Sequence, residues 1–143
     1  MSGSGRVHLV TGGTHGIGAA CVRRLAAEGH TVVFTGRDVD AGKALAASFE
    51  RVHFEPGDAT NEADCRRAVA AAAALGGGAV HGLVANAGIA ARQRFEDATL
   101  ADWNRVMGVN ATASFLFARH ALAALRAGRG AAVMVSSIAG LVG

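Results

Sequence analysis

The chain has 143 residues, of which 51% are hydrophobic, and its 14 basic and 11 acidic side chains give a formal net charge of +3. This length suits one domain with a buried core. The basic residues are scattered and aromatic residues are scarce, which argues against a nucleic-acid partner. No apolar run approaches the roughly 18 residues of a membrane span, and no export signal precedes the first apolar run. We therefore expect a cytoplasmic protein without a membrane partner.

The cysteines and histidines indicate neither a disulfide framework nor a metal site. Cys21 and Cys65 both fall on predicted helices and lack C-x-x-C spacing, so we expect buried thiols in a reducing compartment. No two of the six histidines are three or four residues apart, the spacing that would place them on one helix face as metal ligands.

Residues 7–30 combine a short apolar run, a glycine-rich turn and an alanine-rich segment, which predicts a strand, a turn and a helix. We expect Gly12 to let the chain turn sharply, Gly16 to let backbone approach a phosphate and Gly18 to let the helix pack closely. A pyrophosphate would then lie at the helix N-terminus, where backbone N–H groups are free. Such a turn alone is weak support for binding, but the required strand and helix flank it.

Strands and helices are predicted to alternate along the rest of the chain. The further predicted strands are residues 30–35, 51–54, 81–85 and 131–135. The further predicted helices are residues 41–49, a helix from Thr60 or Asn61 to residue 75, a helix opened by the capping pattern of residues 99–102, and residues 109–125. This alternation predicts an α/β fold with a doubly wound, Rossmann-like parallel sheet of about five strands. The ligand crevice of such a sheet lies at the carboxyl ends of the strands.

The end of the second strand bears on the choice of cofactor. NAD-binding sheets place an acid there for the ribose 2′-hydroxyl, whereas an arginine suits a 2′-phosphate. Here the strand runs into Gly36 and Arg37, which favours NADP over NAD. The alternative is that Arg37 is a solvated loop residue that pairs with Asp38 or Asp40.

Five motifs occur in order along the chain: T-G-x-x-x-G-x-G at residues 11–18, D-A at residues 58–59, N-A-G at residues 86–88, Asn110, and Ser137 in V-S-S-I-A-G. With these motifs the chain resembles the short-chain dehydrogenase/reductase family, and within it bacterial 3-oxoacyl-carrier-protein reductases and related alcohol dehydrogenases. Ala85 departs from the pattern, since the family more usually has a further asparagine there.

The resemblance implies a set of cofactor-binding residues: Gly12, Thr14, His15, Gly16, Ile17, Gly18, Arg37, Asp58, Ala59, Asn86, Ala87 and Gly88. His15 occupies a position where NADP-preferring members often carry a basic residue. The D-A pair would lie against the adenine. Its alternative role is helix capping ahead of Asn61.

The resemblance also implies two catalytic residues. Ser137 would hydrogen-bond the substrate oxygen, and Asn110 would help to hold a water and a lysine in the proton relay. The alternatives are a turn serine and a helix-start asparagine that satisfies local backbone. The family's acid/base tyrosine and its lysine follow the serine, yet the chain contains no tyrosine and its one lysine is Lys43. We therefore expect residues 1–143 to be the N-terminal domain of a reductase, ending before that pair and leaving residues 131–135 as an exposed sheet edge.

The predicted function is hydride transfer between NADP(H) and a small carbonyl or alcohol substrate, with little activity from these residues alone. As in the family, helix 109–125 would pair with its twin in a homo-oligomer. Arg92 or Arg94 could meet an anionic substrate or be solvated loop charges. Two other hypotheses stay open: a dinucleotide-binding or regulatory module of the same fold without chemistry, and an incomplete product of a disrupted gene.

Overall fold

A computed structural model describes residues 5–142 and contains one parallel sheet of five strands. The strands are β1 (Val7–Val10), β2 (Thr31–Gly36), β3 (Val52–Pro56), β4 (Gly82–Ala85) and β5 (Ala131–Met134). Their spatial order is β3-β2-β1-β4-β5, and all four neighbouring pairs are parallel. The predicted doubly wound, Rossmann-like fold is confirmed.

Five α-helices connect these strands: α1 (Gly16–Ala27), α2 (Val39–Ala47), α3 (Glu62–Leu75), α4 (Leu100–Met107) and α5 (Ala113–Gly128). The continuous helix predicted for residues 109–125 is wrong at its start, because Gly108–Thr112 forms one turn of π-helix between α4 and α5. Within residues 5–142, none of the helices combines the length and the apolar character needed to cross a membrane.

The helix N-termini fall into two kinds. Asp38, Asn61 and Thr99 cap α2, α3 and α4 by accepting hydrogen bonds from first-turn backbone N–H groups. The capping box predicted at Thr99 is present, because Oδ2 of Asp102 accepts a hydrogen bond from the backbone N–H of Thr99. By contrast, α1 begins after His15 with no side-chain cap and no acidic residue in its first turn. The first N–H groups of α1 therefore remain available to a ligand.

The sheet is covered on both faces. Leu9 and Val33 are fully buried in a cluster with α3 and α5, whereas Val10 and Phe34 are fully buried in a second cluster with α1 and α2. Neighbouring residues of one strand thus enter opposite clusters, as the pleat of a strand requires. This arrangement explains why β1 and β2 carry apolar residues on both faces of the sheet.

The path of the chain creates a switch point beside β1. From β1 the chain moves through β2 to β3 at one edge, and it then returns to β4 on the other side of β1. The connections that leave β1 and β4 therefore diverge at the carboxyl ends of these strands, where a doubly wound sheet opens its ligand crevice.

Three histidines meet at the opposite, amino-terminal end of the sheet. The rings of His8 and His30 are 4.8 Å apart, and Nδ1 of His81 accepts a hydrogen bond from the backbone N–H of Val7 (3.1 Å). Nε2 of His8 and Nδ1 of His30 are buried without a hydrogen-bond partner among residues 5–142. Burial first, and then the neighbouring His30, His81 and Arg6, lowers the pKa of His8 from 6.5 to about 4.

We expect the half-buried His8 to make folding acid-sensitive. A base whose pKa is depressed in the folded state contributes stability that is complete above the unfolded value of 6.5 and lost as the pH falls toward 4. Urea unfolding at pH 7 and pH 5 should show a smaller loss of stability for His8→Val than for the wild type. His53→Val, which removes an exposed strand histidine, should behave like the wild type. Equal acid sensitivity in wild type and His8→Val would contradict this assignment.

Candidate active site

A crevice of about 580 Å³ lies at the carboxyl ends of β1, β2 and β4, within the size range of small-molecule and cofactor sites. Eleven of the twelve predicted cofactor residues line it: Gly12, Thr14, His15, Gly16, Ile17, Arg37, Asp58, Ala59, Asn86, Ala87 and Gly88. The twelfth, Gly18, does not. The structure therefore brings into one cavity residues that are up to 76 positions apart in the chain.

Hydrogen bonds between Thr11 and Asn86 join the ends of β1 and β4. The buried Thr11 hydroxyl accepts from the backbone N–H groups of Asn86 and Ala87, both at 3.0 Å. In return, Nδ2 of Asn86 donates to the carbonyl oxygens of Thr11 (3.1 Å) and Gly12 (3.2 Å). We call these four contacts the Thr11–Asn86 bridge. It fixes the glycine turn against the N-A-G turn, since otherwise these groups would be desolvated without partners.

The three motif glycines meet different surroundings. Gly12 has φ +64°, and a Cβ there would lie 2.9 Å from Cα of Ala87. A Cβ on Gly18 would collide with the carbonyl of Gly12 and with Nδ2 of Asn86. The close approach at Gly18 is therefore to the turn and the Thr11–Asn86 bridge, rather than the helix–sheet packing expected from the sequence.

Gly16 differs from the other two because it faces open space. Its φ is +53°, and a Cβ placed on it would meet nothing within 4 Å. It lies directly at the uncapped start of α1 and lines the crevice. An anion in this space could approach the first N–H groups of α1 and the positive end of its dipole.

Charged side chains collect at one corner of the crevice. Nε2 of His15 lies 2.9 Å from Oδ2 of Asp38, while Oδ1 of Asp38 accepts from the backbone N–H of Ala41 (3.0 Å). The Ala41 hydrogen bond, and then that of His15, lowers the pKa of the Asp38 carboxyl. Asp38 thus binds His15 and the first turn of α2. Among residues 5–142, no ion pair joins Asp38 or Asp40 to Arg37.

The loop after β3 is fixed on the wall of the crevice. Oδ1 of Asp58 accepts from the backbone N–H (2.8 Å) and the hydroxyl (2.7 Å) of Thr60, and these hydrogen bonds lower the pKa of Asp58. Asn61 caps α3. Helix capping, the alternative role of the D-A pair, therefore belongs to Asn61 instead. Buried Cys65 donates to the carbonyl oxygen of Ala59 (3.2 Å), and burial raises the pKa of this thiol to about 11.

Asn110 lies in the π-helical turn and contacts a distant segment. Its Oδ1 accepts from the backbone N–H of Ile89 (2.8 Å), and its Nδ2 donates to the carbonyl oxygen of Ile89 (2.9 Å). The asparagine thus ties the loop after β4 to the helix, 21 residues away, instead of satisfying local backbone. Such π-helical turns are frequent at functional sites.

Ser137 is exposed just beyond the carboxyl end of β5, at the same edge of the sheet as the crevice but outside its lining. Its Oγ accepts from the backbone N–H of Ala139 (3.2 Å). In the part of the chain that the structure describes, β5 pairs with β4 alone, and Val133 and Met134 are about half exposed.

Sequence reasoning missed two contributions to the site. The sequence motif includes Thr11 only as the residue before the glycines, although the hydroxyl of a threonine at a strand end is able to accept hydrogen bonds from a neighbouring turn. Asp38 was considered as a partner of Arg37, whereas it holds His15. Neither pairing is local in sequence, so no short pattern could indicate it.

Comparisons with known proteins agree on the family. The sequence model of the short chain dehydrogenase family matches residues 6–143. A 3-alpha-(or 20-beta)-hydroxysteroid dehydrogenase of Mycobacterium tuberculosis is 42% identical over 100% of this chain and 56% of its own length. An NADP-dependent (R)-specific alcohol dehydrogenase of Lentilactobacillus kefiri is 36% identical, over 97% of this chain and 57% of its own length.

Among solved structures, a short-chain dehydrogenase from Streptomyces avermitilis superposes on this chain with a TM-score of 0.90 and is 30% identical in sequence. The superposition covers 100% of this chain and 53% of the Streptomyces chain. The chain spans about half the length of the relatives that it matches. With the family model matching nearly every residue, the chain belongs to the short-chain dehydrogenase family.

Proposed function

We propose that the protein transfers hydride between NADP(H) and a small carbonyl or alcohol substrate, with the dinucleotide in the crevice at the ends of β1, β2 and β4. The single observation that carries this proposal is the uncapped N-terminus of α1, which opens beside Gly16 into the crevice while α2, α3 and α4 are all capped. A pyrophosphate fits there because it accepts hydrogen bonds from N–H groups and is favoured by the helix dipole.

The preference for NADP(H) rests on the charged corner of the crevice. Arg37 is exposed there and has no ion pair among residues 5–142, so its guanidinium is available to a 2′-phosphate. The neighbouring Asp38 accepts hydrogen bonds from His15 and Ala41, one on each carboxylate oxygen, and makes no ion pair with Arg37 within residues 5–142. The related alcohol dehydrogenase of Lentilactobacillus kefiri is an NADP-dependent enzyme, which supports the same preference.

The chemistry assigned to this chain concerns the substrate oxygen. The bound cofactor supplies or accepts the hydride. Ser137 would donate a hydrogen bond to the substrate oxygen and orient it. Asn110, which lies in the π-helical turn and is hydrogen-bonded to Ile89, would support the proton relay. A carbonyl that receives hydride also needs a proton, and serine is too weak an acid to supply it alone. In the family pattern this acid is a tyrosine, and residues 1–143 contain none.

Reversing the charge at Arg37 tests the cofactor preference. A charge-assisted hydrogen bond to phosphate is worth ~1.5–3 kcal/mol, so Arg37→Asp should weaken NADP⁺ binding at least about tenfold and leave NAD⁺ binding little changed. Arg66→Asp makes the same charge change on the exposed face of α3 and serves as the control. Fluorescence titration of both cofactors measures the outcome. Equal affinities for NADP⁺ and NAD⁺ in the wild type would overturn the preference.

Catalysis is tested with an NADPH-oxidation assay and a panel of ketones. The 143 residues alone should stay well below ~1 s⁻¹, the lower end of ordinary enzyme turnover. When these residues are joined to a tyrosine-and-lysine segment of the family pattern, Ser137→Ala should lower kcat by ~10²-fold or more, whereas Ser136→Ala should have a small effect. Fast turnover by the 143 residues that is lost in Ser137→Ala would mean that they contain an acid. Binding of NADPH without turnover by the protein that carries the added segment would favour the non-catalytic module.

We also propose that the protein forms a homodimer through the exposed apolar face of α4 and α5. Trp103, Met107, Phe115 and Leu122 are 40–62% exposed on this face, which a soluble monomer would seldom leave open. Light scattering should find a dimer for the wild type and a monomer for Phe115→Asp. Leu75→Asp, at an exposed leucine of α3, should remain dimeric. A monomeric, folded wild type would contradict the proposal.

A further inference from the structure

We propose that Asp64 and Cys65 of α3 are positioning residues for the adenosine half of the dinucleotide, an inference that rests on the proposed function. Both hold the backbone of the D-A pair, Asp58 and Ala59, which lines the crevice after β3. Among the residues that the structure describes, neither Asp64 nor Cys65 lines the crevice itself. Both therefore act on the cofactor through the D-A pair.

Two consecutive side chains of α3 bind opposite ends of this pair. Oδ2 of Asp64 accepts a hydrogen bond from the backbone N–H of Asp58 (2.9 Å). Sγ of Cys65 donates to the carbonyl oxygen of Ala59 (3.2 Å). The Cys65 side chain is fully buried, and its pKa of about 11 keeps the thiol protonated as a donor. The N–H that opens the pair and the C=O that closes it are thus held by the same turn of α3.

Arg67 fixes the side chain of Asp64 in turn. Nη1 of Arg67 lies 2.7 Å from Oδ1 of Asp64, and Nη2 donates to the carbonyl oxygen of Pro56. The hydrogen bond from Asp58, and then that from Arg67, lowers the pKa of Asp64, so the carboxylate accepts with both oxygens. The loop also packs closely on α3 at Gly57, where a Cβ would lie 2.9 Å from Cβ of Asp64. Asp64 therefore holds the loop from a fixed position.

The order of the strands places this loop beside the adenosine half. The pyrophosphate would lie at the start of α1, after β1, and the ribose that carries the 2′-phosphate would lie at Arg37, after β2. The next strand outward is β3, so the base on that ribose meets the loop after β3. The N–H of Gly57 donates to the carbonyl oxygen of Gly36 (3.1 Å), which joins this loop to the residue before Arg37. The nicotinamide half extends the other way, toward β4 and β5.

Removing the acceptor at Asp64 should weaken binding of the adenosine half alone. A ligand binds more weakly when only a fraction of the molecules hold its site in the binding conformation, so Asp64→Ala should raise the Kd for NADP⁺ and for adenosine 2′,5′-bisphosphate by about fivefold or more. Loss of a negative charge near an anionic ligand would by itself lower these Kd values. The Kd for nicotinamide mononucleotide, which lacks the adenosine half, should not change.

Glu62→Ala is the matched control. Glu62 is the other acidic residue in the first turn of α3, but its side chain contacts His120 of α5 (2.8 Å) instead of the loop. This variant loses the same charge at the same helix end and should bind all three ligands like the wild type.

The thiol is tested by a pair of variants that differ in one donor. Cys65→Ala removes the hydrogen bond to Ala59 and should raise the Kd for NADP⁺ and for the bisphosphate by about twofold to threefold. Cys65→Ser restores a donor at the same place and should return both Kd values to those of the wild type. This pair also decides the matter if Asp64→Ala does not fold.

Calorimetry measures NADP⁺ and the bisphosphate, and ligand-observed NMR measures the weaker mononucleotide. A folded Asp64→Ala protein that binds the adenosine ligands like the wild type would overturn this inference, and so would an equal loss for the mononucleotide. Equal affinities of Cys65→Ala and Cys65→Ser for NADP⁺ would count against the role of the thiol. A wild-type protein that binds neither NADP⁺ nor NAD⁺ would instead overturn the proposed function.

Discussion

The Thr11–Asn86 bridge is the constraint on which the candidate site depends. The hydroxyl of Thr11 accepts two backbone N–H groups from the end of β4, and the amide of Asn86 donates to two carbonyl oxygens at the end of β1. Because Thr11 is buried, water cannot replace these partners. The bridge therefore fixes two chain segments that the topology alone would leave diverging, and the crevice opens between them.

Two kinds of recognition follow along this crevice. At the start of α1, under the proposed function, binding would depend on backbone N–H groups and on the space in front of Gly16, so no charged side chain would be required. The other corner holds Arg37, His15 and Asp38, whose charges would discriminate between ligands under the proposed function. The first region suits any dinucleotide, while the second would decide between NADP and NAD. Substitutions in the two regions should thus affect affinity and preference separately.

Much of the fold could be predicted from local patterns. The β-branched run of β2, the capping residues Asn61 and Thr99 and the glycine turn each express a short-range physical preference, and the structure contains the corresponding elements. The helix predicted from residue 109 was misjudged because apolar periodicity does not distinguish a π-helical turn from an α-helix. That turn carries the pair of hydrogen bonds between Asn110 and Ile89, a contact that only the folded chain brings together.

The most direct test of this account is cofactor binding by Thr11→Val, which keeps the β-branched shape and removes the hydroxyl. The variant leaves the backbone N–H groups of Asn86 and Ala87 without their acceptor, at a cost of ~1–3 kcal/mol for each unsatisfied group. We expect a folded protein, as judged by urea unfolding, whose affinity for NADP⁺ and NAD⁺ falls at least about tenfold because the crevice loses its fixed geometry. Unchanged affinity for both cofactors in a folded Thr11→Val protein would contradict the account.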